Sequence, residues 1–162
     1  MQLPRIALFE AMPAEFRKVE FRLKPGDDDP WTGAAERMWA VPEGGDLYRL
    51  KNSPWCVYDV NFDDLVYAPI VDGRPTVERV VKRGGHLTLH ARILDIAAAP
   101  LISARLNELG CGVETDAQKA GATKLMAIDV ASESALTPVR EYLDAELTAG
   151  RLDYGESSIP LK

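Results

Sequence analysis

Residues 36–86 read ERMWAVPEGGDLYRLKNSPWCVYDVNFDDLVYAPIVDGRPTVERVVKRGGH, and how this stretch is parsed decides the fold. Glu36–Val41 has the composition of a strand, Glu43-Gly44-Gly45-Asp46 that of a turn, and Leu47–Leu50 that of the returning strand. Gly-Gly between two alternating runs signals a hairpin, because glycine supplies the positive φ such turns require. Lys51-Asn52-Ser53-Pro54 breaks the pattern, Trp55–Tyr58 is apolar, and Asp59–Asp64 turns again. Leu65–Ala68 is a further strand, Asp72-Gly73 a second hairpin turn, Thr76–Val81 another strand, and Gly84-Gly85 closes the stretch. About five short strands joined by tight turns predict a small, strongly bent SH3-like β-barrel. Trp39, on a regular alternating strand, is expected in its core.

Upstream, residues 1–18 form an arm interrupted by Pro4 and Pro13, with Ile6, Leu8, Phe9, Met12 and Phe16 available for packing or docking. Val19–Leu23 alternates apolar and charged, the period of a half-buried strand. Asp27-Asp28-Asp29 follows Pro25-Gly26. A calcium loop of the EF type needs alternate carboxylates and a later glutamate, so this is a solvated turn.

Downstream the rhythm changes. Leu87–Leu94 predicts a strand. Pro100 opens a helix on which Ile102, Leu106 and Leu109 recur and which Gly110 caps. Cys111–Thr115 is a strand, 117–123 a loop, and Lys124–Val130 the most regular strand of the chain, with Met126 in the core. Thr137-Pro138 reads as an N-cap followed by proline at the first helical position. Val139, Leu143 and Leu147 mark the second helix, Gly150 ends it, and Arg151–Tyr154 is a last strand. This β-α-β-β-α-β order is the ferredoxin-like, split βαβ pattern. The expected class is therefore α+β: an arm at 1–18, a barrel-like unit at 19–85 and a ferredoxin-like unit at 86–162.

Composition excludes several functions. The net charge is −6 and the pI about 5.0, with no basic stripe to meet phosphates, so nucleic acid is not an expected partner. No run approaches the ~18 apolar residues of a membrane span, and 1–16 lacks the continuous apolar core of an export signal. The expected location is the cytoplasm, where Cys56 and Cys111 are expected as buried thiols. His86 and His90, on one face of a strand, lie about 13 Å apart, too far to share a metal. No serine sits in a G-x-S-x-G elbow. Neither Gly44-Gly45 nor Gly84-Gly85 has the spacing of a phosphate loop. No cofactor motif is present.

The feature suited to recognition is an acidic cluster beside aromatic side chains: Trp55, Tyr58, Asp59, Asp63 and Asp64, with Phe62. Carboxylates around an aromatic anchor suit a protein partner with a basic surface. Glu36-Arg37-Met38-Trp39, Tyr48–Pro54, Phe62–Val66 and Gly85-His86-Leu87-Thr88 together resemble an uncharacterised bacterial family, a domain of unknown function, chiefly over 36–88. The resemblance implies no activity. It does imply glycine where this chain has Asp59 and Asp63, a departure that predicts a different backbone in that turn. Three functions fit. The first is a non-enzymatic binding protein, such as an immunity protein or antitoxin that neutralises a toxin by occlusion. The second is a small-ligand-sensing module, and the third a hydrolase-type enzyme using His86.

Overall fold

The computed structural model describes residues 15–23, 35–116 and 123–156. Most of the N-terminal arm, the Asp27–Asp29 turn and most of the 117–123 loop lie outside these residues. The chain divides into two compact units, one ending at Gly84 and one beginning at Gly85, and each has its own buried cluster. All three sheets are antiparallel and two α-helices are present among the described residues, so the class is α+β.

In the first unit, β1 (Arg17–Arg22), β2 (Ala35–Gly44), β3 (Leu47–Leu50), β4 (Leu65–Tyr67) and β7 (Arg79–Lys82) form one sheet in the order β1-β2-β3-β4-β7. The short pair β5 (Ile70–Val71) and β6 (Arg74–Pro75) stands beside it. Period-2 alternation fills the core: Val19 and Phe21 from β1, Met38 and Ala40 from β2, with Leu50, Val60, Val66 and Ala68. The same alternation corrects the expectation for Trp39. With Met38 and Ala40 inward, Trp39 must face outward, and it is half-buried opposite Lys18, whose ammonium lies 4.7 Å from the ring centroid.

The turns adopt the conformations their residues favour. Gly44, Gly45 and Asp46 all have positive φ, as do Asp72 and Gly73 between β5 and β6. The barrel does not close. β1 and β7 are the sheet's edges, and a single parallel bridge, Glu20 to Thr76, reaches across from β1. The connection 51–64 between β3 and β4 carries no strand.

In the second unit, β8 (Leu87–Ile93), β9 (Gly112–Thr115), β10 (Leu125–Val130) and β11 (Leu152–Glu156) are ordered β11-β8-β10-β9, every neighbour antiparallel. Helix α1 (Ala99–Glu108) separates β8 from β9, and α2 (Leu136–Thr148) separates β10 from β11. Ile102 and Leu106 of α1 and Val139 and Leu143 of α2 pack with Leu89, Ala91, Ile93, Met126, Ile128 and Val130, which share one sheet face. Met126 is in this core, as its strand predicts.

Two details of α2 differ from expectation. A 3-10 turn at Glu133–Ala135 leads into it and Leu136 is its first residue, so Thr137 is inside the helix rather than its cap. Pro138 still falls in the first turn, where its missing N–H costs no bond. Leu147 is 44% exposed while Glu146 is buried. Steps of four drift off a 3.6-residue repeat, so after Leu143 the core side passes to position 146. There Arg151 holds the Glu146 carboxylate through Nε at 2.5 Å and Nη2 at 2.9 Å.

Candidate functional site

The long strand-free connection 51–64 holds every residue the sequence marked for recognition, and the structure pins it at several points. At its start, Asn52 Oδ1 accepts the amide of Trp39 at 2.8 Å, tying the loop to β2. Next, the Glu36 carboxylate accepts three consecutive amides: Trp55 at 2.6 Å, Cys56 at 2.9 Å and Val57 at 2.9 Å. Successive N–H groups converging on one point form an anion-binding concavity, and here the chain supplies its own anion from β2. This is why apolar Trp55–Val57 does not extend into a strand: its donors are already engaged.

At the far end, Asp64 is fully buried. Its Oδ2 accepts the Asn61 amide at 3.0 Å and Arg83 Nη1 at 3.1 Å, and its Oδ1 accepts the Gly84 amide at 2.9 Å. Asp64 was read as part of a docking surface. The structure makes it an internal brace, because its buried carboxylate is compensated by two backbone amides and the Arg83 guanidinium. Asp63 is half-buried. Its Oδ1 takes Lys51 Nζ at 2.9 Å, its carbonyl takes Arg49 Nη1 at 3.1 Å, and Lys51 lies 5.5 Å from the Phe62 ring centroid. Arg49 also grips Glu43, and that guanidinium holds the Glu43 carboxyl below the usual carboxylate range.

Asp59 and Asp63 have φ of 60° and 67°. Both positions are therefore in the left-handed region, where glycine is the residue of least strain and which aspartate enters more readily than most others.

What remains outward is narrower than the sequence suggested. Tyr58 is 72% exposed. The Asp59 side chain is 62% exposed and pairs with Arg83 Nη2 at 3.0 Å. Trp55 is half-buried beside them in sequence. Glu36 was missed as a site residue because it lies twenty positions from the amides it holds, and no local pattern marks that pairing.

A second cluster lies on the opposite face of the second sheet from its helices. His86 Nδ1 meets Asp129 Oδ1 at 2.9 Å and Oδ2 at 3.0 Å. Register places Thr88 opposite Asp129, and Ala127 between His90 and Glu114. Asp129, Thr88 and Glu114 are buried. Among the described residues no group of three or more histidine, cysteine or acidic side chains could hold a metal ion. Cys111 is buried, and Cys56 is partly exposed. No helix among the described residues is long and apolar enough to cross a membrane.

Fold and site together define an α+β protein with a braced, tyrosine-tipped loop. The chain belongs to the family of the domain of unknown function DUF4265, which it matches over residues 36–154. In fold it is similar to a hypothetical protein from Neisseria gonorrhoeae whose crystal structure is solved. The TM-score is 0.72 at 13% identity, covering 90% of this chain and 96% of that one. No curated protein matches the chain.

Proposed function

We propose that the protein is a non-enzymatic binding protein that acts by occlusion, as an immunity protein or antitoxin does, with the 51–64 loop as its contact surface. One observation carries this reading: a connection of fourteen residues without regular structure is braced by Asn52, Glu36 and Asp64, yet turns Tyr58 outward at 72% exposure. Structureless connections beyond about twelve residues in compact domains are commonly functional. Bracing lowers the ordering entropy that binding must overcome. A tyrosine is a suitable anchor, since it buries much area for two rotatable bonds. The net charge of −6 suits a partner with a basic surface, such as a basic toxin. The second unit is read as a ferredoxin-like sandwich, supported by its strand order and two helices.

The test is affinity capture from the native host, followed by surface plasmon resonance on the captured protein. Tyr58→Ala is expected to speed dissociation, and Asp59→Asn to slow association and flatten its salt dependence. If both variants stay folded and neither alters binding, the contact surface is elsewhere.

A second reading, a hydrolase-type activity using His86, is supported by the His86–Asp129 pair. A carboxylate on Nδ1 is how a catalytic imidazole is commonly oriented. Turnover of a chromogenic ester panel that is lost in both His86→Gln and Asp129→Asn supports it. Turnover unchanged in both variants, or absent from the unaltered protein, removes it.

A further inference from the structure

The outward face of the first sheet brings together cations and rings that the linear sequence keeps apart. Val19, Met38, Ala40, Leu50, Val66 and Val80 serve the core, so period-2 alternation turns Lys18, Arg37, Trp39, Arg49, Tyr67 and Arg79 to the other side. Register then closes the gaps in sequence: Lys18 stands opposite Trp39, and Tyr67 opposite Arg79. Each ring carries a cation. Lys18 Nζ lies 4.7 Å from the Trp39 centroid, and Arg79 Cζ lies 4.4 Å from that of Tyr67. Trp39 on β2 and Tyr67 on β4 are two strands apart, about 10 Å across the sheet, and Arg49 on β3 lies between them. Two carboxylates share this face, and both are engaged: Glu20 by Arg37 at 3.1 Å and Arg74 at 3.3 Å, Glu43 by Arg49. Lys18, Arg37 and Arg79 are exposed. The acidity of the chain is concentrated elsewhere, since residues 85–162 carry 11 acidic and 7 basic side chains. No basic stripe is visible in the sequence because the sheet, and not the chain, assembles these cations.

We propose that this face binds a short single-stranded nucleic acid, with bases on Trp39 and Tyr67 and phosphates on Lys18, Arg49 and Arg79. The proposal goes beyond the occlusion reading and uses a different surface from the 51–64 loop. Sequence-tolerant binding of single strands combines aromatic platforms, on which bases stack, with cations that follow the backbone. Both are present here in alternation: a ring with its cation, Arg49, then a second ring with its cation. A cation over an exposed ring is held weakly. A base that stacks on the ring displaces it toward the adjoining phosphate, so one weak contact is exchanged for a stack and an ion pair. A duplex does not fit this face, because its bases are already stacked on one another and its grooves admit a helix or a two-stranded ribbon rather than the broad side of a sheet. An acidic protein segment would meet the cations but leave the rings without a stacking partner.

The experiment follows the full chain by fluorescence anisotropy against a fluorescein-labelled oligothymidylate of about ten nucleotides. An abasic oligomer with the same phosphates and a duplex of the same length are the controls. The oligothymidylate is expected to bind saturably at low salt and to weaken as salt rises, and the abasic oligomer to bind at least roughly five-fold more weakly. Tyr67→Thr, which keeps a residue suited to a strand, is expected to weaken binding by a similar factor, while Tyr67→Phe retains it. Arg79→Gln is expected to flatten the slope of log affinity against log salt by about 0.7, and Lys18→Gln, at a second exposed position, repeats that test independently. Asp59→Asn on the loop leaves binding unchanged. Equal binding of the abasic oligomer, tighter binding of the duplex, no saturable binding at low salt, or folded Tyr67→Thr and Arg79→Gln variants that bind as the unaltered protein does each overturns the proposal. If the captured protein partner still loses affinity on Tyr58→Ala while oligothymidylate does not bind, occlusion stands and the nucleic-acid face falls.

Discussion

Glu36 and Asp64 do at single-residue scale what a strand ladder does elsewhere: they give backbone donors an acceptor. Glu36→Ala removes the acceptor shared by the Trp55, Cys56 and Val57 amides. It is expected to destabilise the protein by about 1–3 kcal/mol and to speed hydrogen exchange at those three amides, which mass spectrometry reads by peptide. Unchanged exchange there would show the loop to be held by other means. Gly84 is a sharper case. A Cβ on it would lie 2.5 Å from the Asp63 carbonyl carbon and 2.9 Å from Asp63 Cβ. Because the obstruction is largely backbone, Gly84→Ala is expected to cost several kcal/mol in a urea melt, about the scale of an overpacked core at the least. Trp39→Ala belongs at the other end. A fully buried ring would cost about 3–5 kcal/mol, and the outward, half-buried Trp39 is expected to cost less.

At the scale of elements, α2 and β11 are joined by polar contacts whose protonation makes them pH-dependent. Tyr154 on β11 donates to Asp144 Oδ1 on α2 at 2.6 Å. Burial first, and then this hydrogen bond, push the phenol from 10.0 up to about 12. A phenol raised above its unfolded value contributes stability that is complete below pH 10.0 and is lost as pH rises toward about 12. Tyr154→Phe is therefore expected to lower stability near neutrality, by about 0.5–1.5 kcal/mol for one hydrogen bond. The gap to the unaltered protein should narrow across that alkaline window in denaturant melts. A gap independent of pH would assign the loss to packing alone. Glu146 behaves in the opposite sense. Its hydrogen bond to Arg151 leads the causes that lower its pKa below 4.5, so its contribution is present above that value and disappears as pH falls through the lower folded value. Glu146→Gln should flatten the acid limb of the stability profile. Gly110, at φ of 86°, ends α1 in the left-handed region, with open space where a Cβ would sit. Gly110→Ala should then show backbone strain alone, about 1–2 kcal/mol, as a lowered thermal midpoint.

At the scale of the molecule, the two units differ in how much of them can be read without coordinates. The second unit is almost wholly local: Ile102 and Leu106, then Val139 and Leu143, recur at helical spacing, and Gly110 and Gly150 sit where left-handed caps are needed. The first unit is read correctly at its hairpins, because Gly44-Gly45 and Asp72-Gly73 declare their turns. It is misread where chain distant in sequence intervenes. Whether Trp39 faces in or out depends on which neighbours claim the core face. Whether the sheet closes depends on what meets β1 and β7. The acidic cluster illustrates the same limit. The order of residues alone determines that Asp59, Asp63 and Asp64 lie together beside Trp55 and Tyr58, that the net charge is −6, and that the chain alternates as α+β proteins do. Only the tertiary structure decides that Asp64 is a buried brace, that Asp63 belongs to Lys51, and that Tyr58 and Asp59 face solvent. The reason is physical: periodicity and turn chemistry act over a few residues, whereas the partners of a carboxylate are chosen by fold. Here Glu36 finds 55–57 and Asp64 finds Gly84 across about twenty positions of chain, and no local pattern of residues encodes a contact across that distance.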